Sequence, residues 1–110
     1  LRLTSGSRID FKEHFLATSS KKQILKRILA NVKAVYLANA EYSKALGVIN
    51  LLLTLAPWDM DELKDRGNTN YYLKEYRPAL DDLETYLKFS QDAPDAEQIT
   101  RNVDILKRLI

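Results

Sequence analysis

Apolar residues stand three or four positions apart through most of the chain, the spacing that gathers them on one side of an α-helix. Ile99, Val103, Leu106 and Ile110 form one such stripe, and Ile49 with Leu53 forms part of another. Polar punctuation divides the pattern into helices. Ser20 with Gln23 reads as a capping box that opens a helix running to about Asn39. A partner helix is expected from Glu41 to Leu55, stopped by Pro57. Asp59 with Glu62 reads as a second capping box, for a helix ending near Leu73. Glu75 to Phe89 is the next helix, with Pro78 tolerated because it lies in the first turn. Ser90–Pro94 reads as a loop, followed by a last helix from about Asp95 to Leu109. A further short helix is expected around Ile9–Leu16.

The chain matches itself when shifted by 34 residues. Leu29 meets Leu63, Glu41 meets Glu75, Tyr42 meets Tyr76, and Ala45 meets Ala79. Leu46 then meets Leu80, Ile49 meets Leu83, and Leu53 meets Leu87. The physical reading is two similar helical hairpins. A Tyr opens each second helix and wedges against the first. An Ala three residues later sits at the crossing, where only a small side chain lets the backbones approach. Gly67 reads as the small residue on the other side of the second crossing, while its counterpart is Lys33. That lysine implies either a looser first crossing or a side chain that snorkels outward. Two hairpins alone are marginal, because such repeats stabilise one another by stacking. The last helix is therefore expected to cover the apolar end, with Arg101, Asp104 and Arg108 facing water.

The 110 residues suit one domain with a single core, and 45% apolar with 29% charged residues is ordinary for a globular chain. Cysteine is absent, which removes disulfides, thiolate metal sites and a cysteine nucleophile. A reducing cytoplasm fits this, and a cytoplasmic location is expected. The longest apolar run, Val48–Leu53, is broken by Asn50 and far too short to span a bilayer, and no signal peptide is visible. A start at Leu1 rather than Met reads as a fragment whose N-terminal partner region lies elsewhere. Net charge is +2, but residues 1–33 carry +6 and residues 34–110 carry −4.

With these residues in view, each unit resembles a tetratricopeptide repeat (TPR): Tyr36, Tyr42, Ala45 and Pro57 in the first, Gly67, Tyr76 and Ala79 in the second. More narrowly, the stretches Gln23–Tyr36, Leu63–Gly67, Ala79–Leu87 and Asp92–Glu97 resemble the C-terminal TPR segment of bacterial transglutaminase-like proteins of the SirB type. That resemblance implies an N-terminal transglutaminase-like domain outside this chain, which would hold any catalytic chemistry. The expected fold is all-α, a TPR-like right-handed stack of helical hairpins: two repeats, about 26–59 and 60–93, plus a C-terminal capping helix, about 95–109. Residues 1–19 are expected to be a linker or short helix before a TPR domain of residues 20–110. Lys33, Arg66 and Asn70 depart from the usual repeat pattern and bear on the pitch between units.

A TPR implies a binding face formed by the first helix of each pair. Mapped onto this chain, that face holds Arg27, Ala30, Asn31 and Ala34, then Asp61, Lys64, Asp65, Asn68 and Tyr71. Its expected ligand is a protein or peptide, from a separate partner or from the chain's own N-terminal domain. The other expected role is a structural buttress for that domain; neither reading makes this chain an enzyme. A clamp for chaperone carboxylate tails is disfavoured, since Ala30, Ala34 and Asp65 occupy the clamp positions and an Asp repels a carboxylate. Nucleic-acid binding by Lys21, Lys22, Lys26, Arg27 and Lys33 is disfavoured too, because Lys26, Arg27 and Lys33 point apart and no aromatics interleave. His14 is the single histidine, without a nucleophile or second metal ligand at suitable spacing. No cofactor, metal or membrane partner is expected. Asp59, Asp61, Asp81 and Asp82 read as surface or capping carboxylates, and Trp58 as an apolar plug in the inter-repeat turn.

Overall fold

A computed structural model describes residues 19–110. Five helices follow in order: α1 Ser19–Ala38, α2 Tyr42–Leu55, α3 Met60–Tyr72, α4 Tyr76–Phe89 and α5 Ala96–Leu109. There is no strand among the described residues. The fold is all-α, a TPR-like stack in which α1 pairs with α2 and α3 with α4. The α2–α3 contact joins the hairpins, and α5 lies on α4. The expected short helix at Ile9–Leu16, and His14 within it, lie outside the described residues.

The 34-residue period governs both burial and backbone. Ala45 and Ala79 are fully buried, as are Ile49 and Leu83, so the crossing residues do close the hairpins. Each hairpin turn contains a left-handed residue, Ala40 (φ 56°) and Lys74 (φ 63°), again 34 apart. In both, the following amide reaches back five residues: Glu41 N–H to Tyr36 C=O at 2.8 Å, Glu75 N–H to Asn70 C=O at 2.9 Å. This 6→1 bond closes a helix C-terminus without help from a side chain. The two turns are therefore the same motif built from different residues.

Two apolar clusters form the core. Ile49 and Leu53 of α2 pack on Leu63 of α3, while Ala79, Leu80, Leu83 and Tyr86 of α4 pack on Ile99, Val103 and Leu106 of α5. Met60 touches both clusters and links the hairpins. Ile110 departs from its expected place on the buried stripe. It lies beyond the last turn of α5, off the helical stripe, and is half exposed.

Local signals account for the helix starts only in part. Asp59 does cap α3, its Oδ1 accepting from the backbone N–H groups of Asp61 (3.1 Å) and Glu62 (3.3 Å). Glu62 does not complete a capping box; its carboxylate is drawn to Lys33 on α1. Ser20 is no cap, because α1 has already begun at Ser19.

Gly67 carries no Cβ for a steric reason: one built there would stand 2.8 Å from Leu83 Cγ. Tyr76 leans on Tyr71 of its own first helix, with ring centres 6.0 Å apart. Tyr42 instead stacks on Tyr72 of the next hairpin at 4.8 Å, nearly parallel, and so acts between repeats.

Candidate functional site: the first-helix face

Helix α5 stands where the first helix of a third unit would stand. The loop before it, residues 90–95, is two residues longer than the loop 56–59 before α3. Adding 36 residues to Leu63, Gly67 and Asn70 accordingly reaches Ile99, Val103 and Leu106, and all six are buried. The face lined by first helices thus runs over α1, α3 and α5.

Ion pairs tie this face together. Lys33 Nζ donates to Asp65 Oδ2 at 2.7 Å and to Glu62 Oε1 at 2.9 Å, linking α1 to α3. Its side chain is only 12% exposed, so it does not snorkel outward to water. The reason is that α3 presents two carboxylates to it. Burial pulls the Lys33 pKa down, but the bonds from Asp65 and Glu62 outweigh burial and leave it above its ordinary value.

Lys64 Nζ donates to Asp95 Oδ2 at 2.6 Å, and Tyr86 Oη donates to Asp95 Oδ1 at 2.6 Å, linking α3 and α4 to the residue that precedes α5. The bonds from Lys64 and Tyr86 hold the Asp95 carboxyl below its ordinary range, while the bond to Asp95 raises Lys64. Tyr86 is likewise raised by donating to Asp95.

Arg66 grips Asp82 with two bonds, Nε to Oδ2 at 2.7 Å and Nη2 to Oδ1 at 3.0 Å, and donates from Nη1 to Asn50 Oδ1 at 3.2 Å. It thereby joins α2, α3 and α4. The bond to Asp82 raises the guanidinium pKa further. Asp82 is buried, not a surface carboxylate as its neighbour Asp81 is. Its partner stands 16 residues away on a facing helix, beyond the reach of local spacing.

Of the residues expected on the face, Asn68 and Tyr71 line a cleft of about 360 Å³ between α3 and α5. Arg27 and Ala30 line a second cleft with Gln23, Lys26, Leu52 and Glu62, between α1 and α3. Asn31, Ala34 and Asp61 are exposed. Lys64 and Asp65 are engaged in ion pairs, so Asp65 meets a ligand already neutralised by Lys33.

The α3–α5 cleft also holds Tyr72, Gln98, Asn102 and Ile105, over a floor of Leu83 and Leu106. The sequence reading missed Gln98, Asn102 and Ile105 because it took α5 only as a cap, and missed Tyr72 at the end of α3. The two-residue longer loop, once seen, reveals the three on α5. None of the eight lining side chains carries a charge, whereas the α1–α3 cleft has Lys26, Arg27 and Glu62. Gln98 Nε2 donates to Asn102 Oδ1 at 3.1 Å, which orients the two amides along α5. Tyr71 and Tyr72 meet edge to face at 5.5 Å, and both are well exposed.

Among the described residues no group of three or more His, Cys, Asp or Glu is placed to hold a metal ion. No described helix is long and apolar enough to cross a membrane. Trp58 is not a plug: it is 71% exposed, and Lys22 Nζ lies 5.5 Å from its ring centre.

The tetratricopeptide repeat family model matches residues 32–103, from the last two turns of α1 through α4 and into α5. The chain belongs to the TPR family. A UPF0162 protein of Vibrio cholerae serotype O1 is 29% identical over 101 residues, which cover 92% of this TPR chain and 37% of that relative's length. The TPR chain therefore spans a little over a third of the curated relative it matches. No solved structure matches it.

Proposed function

We propose that this TPR chain is a protein-interaction module that holds an extended, uncharged stretch of a partner polypeptide in the α3–α5 cleft. TPR repeats generally mediate protein–protein contact, and the cleft has the composition such contact needs. The carrying observation is the pairing of side-chain amides at Asn68, Gln98 and Asn102 with the exposed rings of Tyr71 and Tyr72 around an apolar floor. Amides offer both a donor and an acceptor to a peptide backbone, and tyrosines supply contact area at small entropic cost. The partner segment lies in another protein or in an N-terminal domain of the same polypeptide. The repeat units we assign are residues 26–59 and 60–93, with residues 95–109 as the capping helix that also walls the cleft.

Selection from a random peptide library displayed on phage tests this reading. Asn68→Ala and Asn102→Ala are expected to abolish capture of the selected peptides while leaving the melting temperature unchanged. Recovery of no peptide whose binding depends on these residues defeats it.

A second reading, which rests on the resemblance of Gln23–Tyr36 and Ala79–Leu87 to SirB-type proteins, has this segment buttress a transglutaminase-like domain elsewhere in the polypeptide. In the full-length polypeptide the two readings separate. Under the second, cleft variants change nothing, and removing residues 19–110 lowers the melting temperature of the remainder.

A further inference from the structure

Helix α1 presents an apolar stripe that nothing among the described residues covers. Ile24 is 50% exposed, Ile28 53% and Val35 57%, with exposed Asn31 between them. Spacings of four, three and four place all four within about 60° of arc on one side of the helix. Leu25, Leu29, Val32 and Tyr36, about a quarter-turn round the helix, are more buried.

The repeat says what this stripe corresponds to. Moving 34 residues from Ile28, Asn31 and Val35 reaches Glu62, Asp65 and Thr69. On α3 these are the positions turned toward the preceding hairpin: Glu62 and Asp65 hold Lys33 of α1, and Thr69 is 2% exposed. The α1 stripe thus occupies the incoming face of the stack, the face on which a preceding helical layer packs. Where α3 is polar, to receive a lysine, α1 is apolar.

Charge decides among the occupants. The α1 sequence holds Lys21, Lys22, Lys26, Arg27 and Lys33 and no carboxylate. Lys21 and Arg27, both exposed, flank the stripe on its two sides. Pairing α1 with a symmetry-related α1 brings these like charges together and is disfavoured. Head-to-tail stacking of copies is disfavoured on the same ground, because the exposed Ile105 and Leu109 at the outer side of α5 are edged by Arg101 and Arg108, again like charges.

We propose that the Ile24–Ile28–Val35 stripe of α1 is a docking surface for an amphipathic helix with an acidic margin. Its apolar residues cover the stripe, and its carboxylates meet Lys21 and Arg27. The inference goes beyond the cleft reading, since none of these residues lines the α3–α5 cleft.

The absence of cysteine allows a clean test. Ile28→Cys in the full chain gives a single thiol in the stripe, and Ile24→Cys gives a second, independent reporter; circular dichroism checks that each variant is folded. The probe is a synthetic helix of about 18 residues, roughly five turns, with Leu on one face and Glu along its margins. A control peptide carries Lys in place of Glu. Maleimide labelling of the thiol is expected to be fast in the chain alone. The Glu-margined helix is expected to slow it at least about tenfold, the Lys-margined helix not at all, and the protection to fade in high salt.

Equal protection by both peptides, or by neither, overturns the proposal. Slow labelling without peptide overturns it as well, in favour of cover by residues 1–18 if independent of protein concentration and by a second copy if it grows with concentration. Loss of the protection in a Tyr71→Ala background places the peptide in the cleft instead and also overturns it. Failure of the cleft variants in peptide capture leaves this test unaffected.

Discussion

Gly67 and Leu83 are in contact at the crossing of α3 and α4, so close that a Cβ on Gly67 would stand 2.8 and 2.9 Å from two Leu83 carbons and 3.3 Å from the Ala79 carbonyl oxygen. Leu83 is 1% exposed and walled into the core cluster, so it has little room to give way. Gly47 on α2 stands in contrast, with nothing within 4 Å of the place its Cβ would take.

The two glycines therefore respond with opposite signs to the same substitution. Gly47→Ala removes the helix-interior penalty of glycine and is expected to stabilise by about 0.5–1 kcal/mol. Gly67→Ala gains the same propensity but overpacks the crossing at a cost of about 1–3 kcal/mol, for a net loss of about 1–2 kcal/mol. Urea denaturation of both variants checks this; a gain in both would mean the crossing is not close-packed.

Ala40 and Lys74 sit in left-handed backbone, which costs a residue with a Cβ about 1–2 kcal/mol. Ala40→Gly and Lys74→Gly relieve that strain against an entropic cost of about 0.5–1 kcal/mol, so each is expected to raise stability by about 0.5–1 kcal/mol. Thermal melts of the single and double variants measure it, and any departure from additivity reports coupling through the Tyr42–Tyr72 stack that flanks the two turns.

Arg66 is the main partner of the buried Asp82 carboxylate. Arg66→Ala is expected to cost about 1.5–3 kcal/mol, because it strands that charge beside the apolar core. Asp82→Leu in the same background is expected to recover part of the loss. A double-mutant cycle that showed no coupling between the two positions would contradict this picture.

Acid acts through Asp95. Its carboxyl, held by Lys64 and Tyr86, titrates below the ordinary value of 3.8. A group with a depressed folded pKa contributes stability above its unfolded value and loses it as pH falls through the folded one. The melting temperature is therefore expected to drop below about pH 4. Asp95→Asn is expected to melt lower than the parent at neutral pH and to show a shallower decline in acid. Parallel curves for parent and variant would remove Asp95 from the explanation.

The hairpins were legible because they are written as local rules repeated once. Small residues at Ala45 and Ala79, apolar residues four apart, and Asp59 as a cap each act within one or two helical turns. Such signals survive in a linear reading because helical neighbours in space are also close in sequence. The same logic reached Asn68 and Tyr71 of the cleft, which sit at repeat positions on α3.

Contacts between helices far apart in the chain were not legible. Lys33 reads as a misplaced residue until α3 brings Glu62 and Asp65 to it, and Asp82 reads as a surface carboxylate until Arg66 faces it. Gln98, Asn102 and Ile105 read as a cap until the longer loop sets α5 beside α3. The sequence by itself determined which segments are helical and which side of each is apolar, because those depend on period and propensity. Only the tertiary structure decided which charges pair, where the cleft opens and which stripe of α1 stays uncovered. Those depend on how neighbouring helices turn their faces toward one another, and no local spacing encodes that.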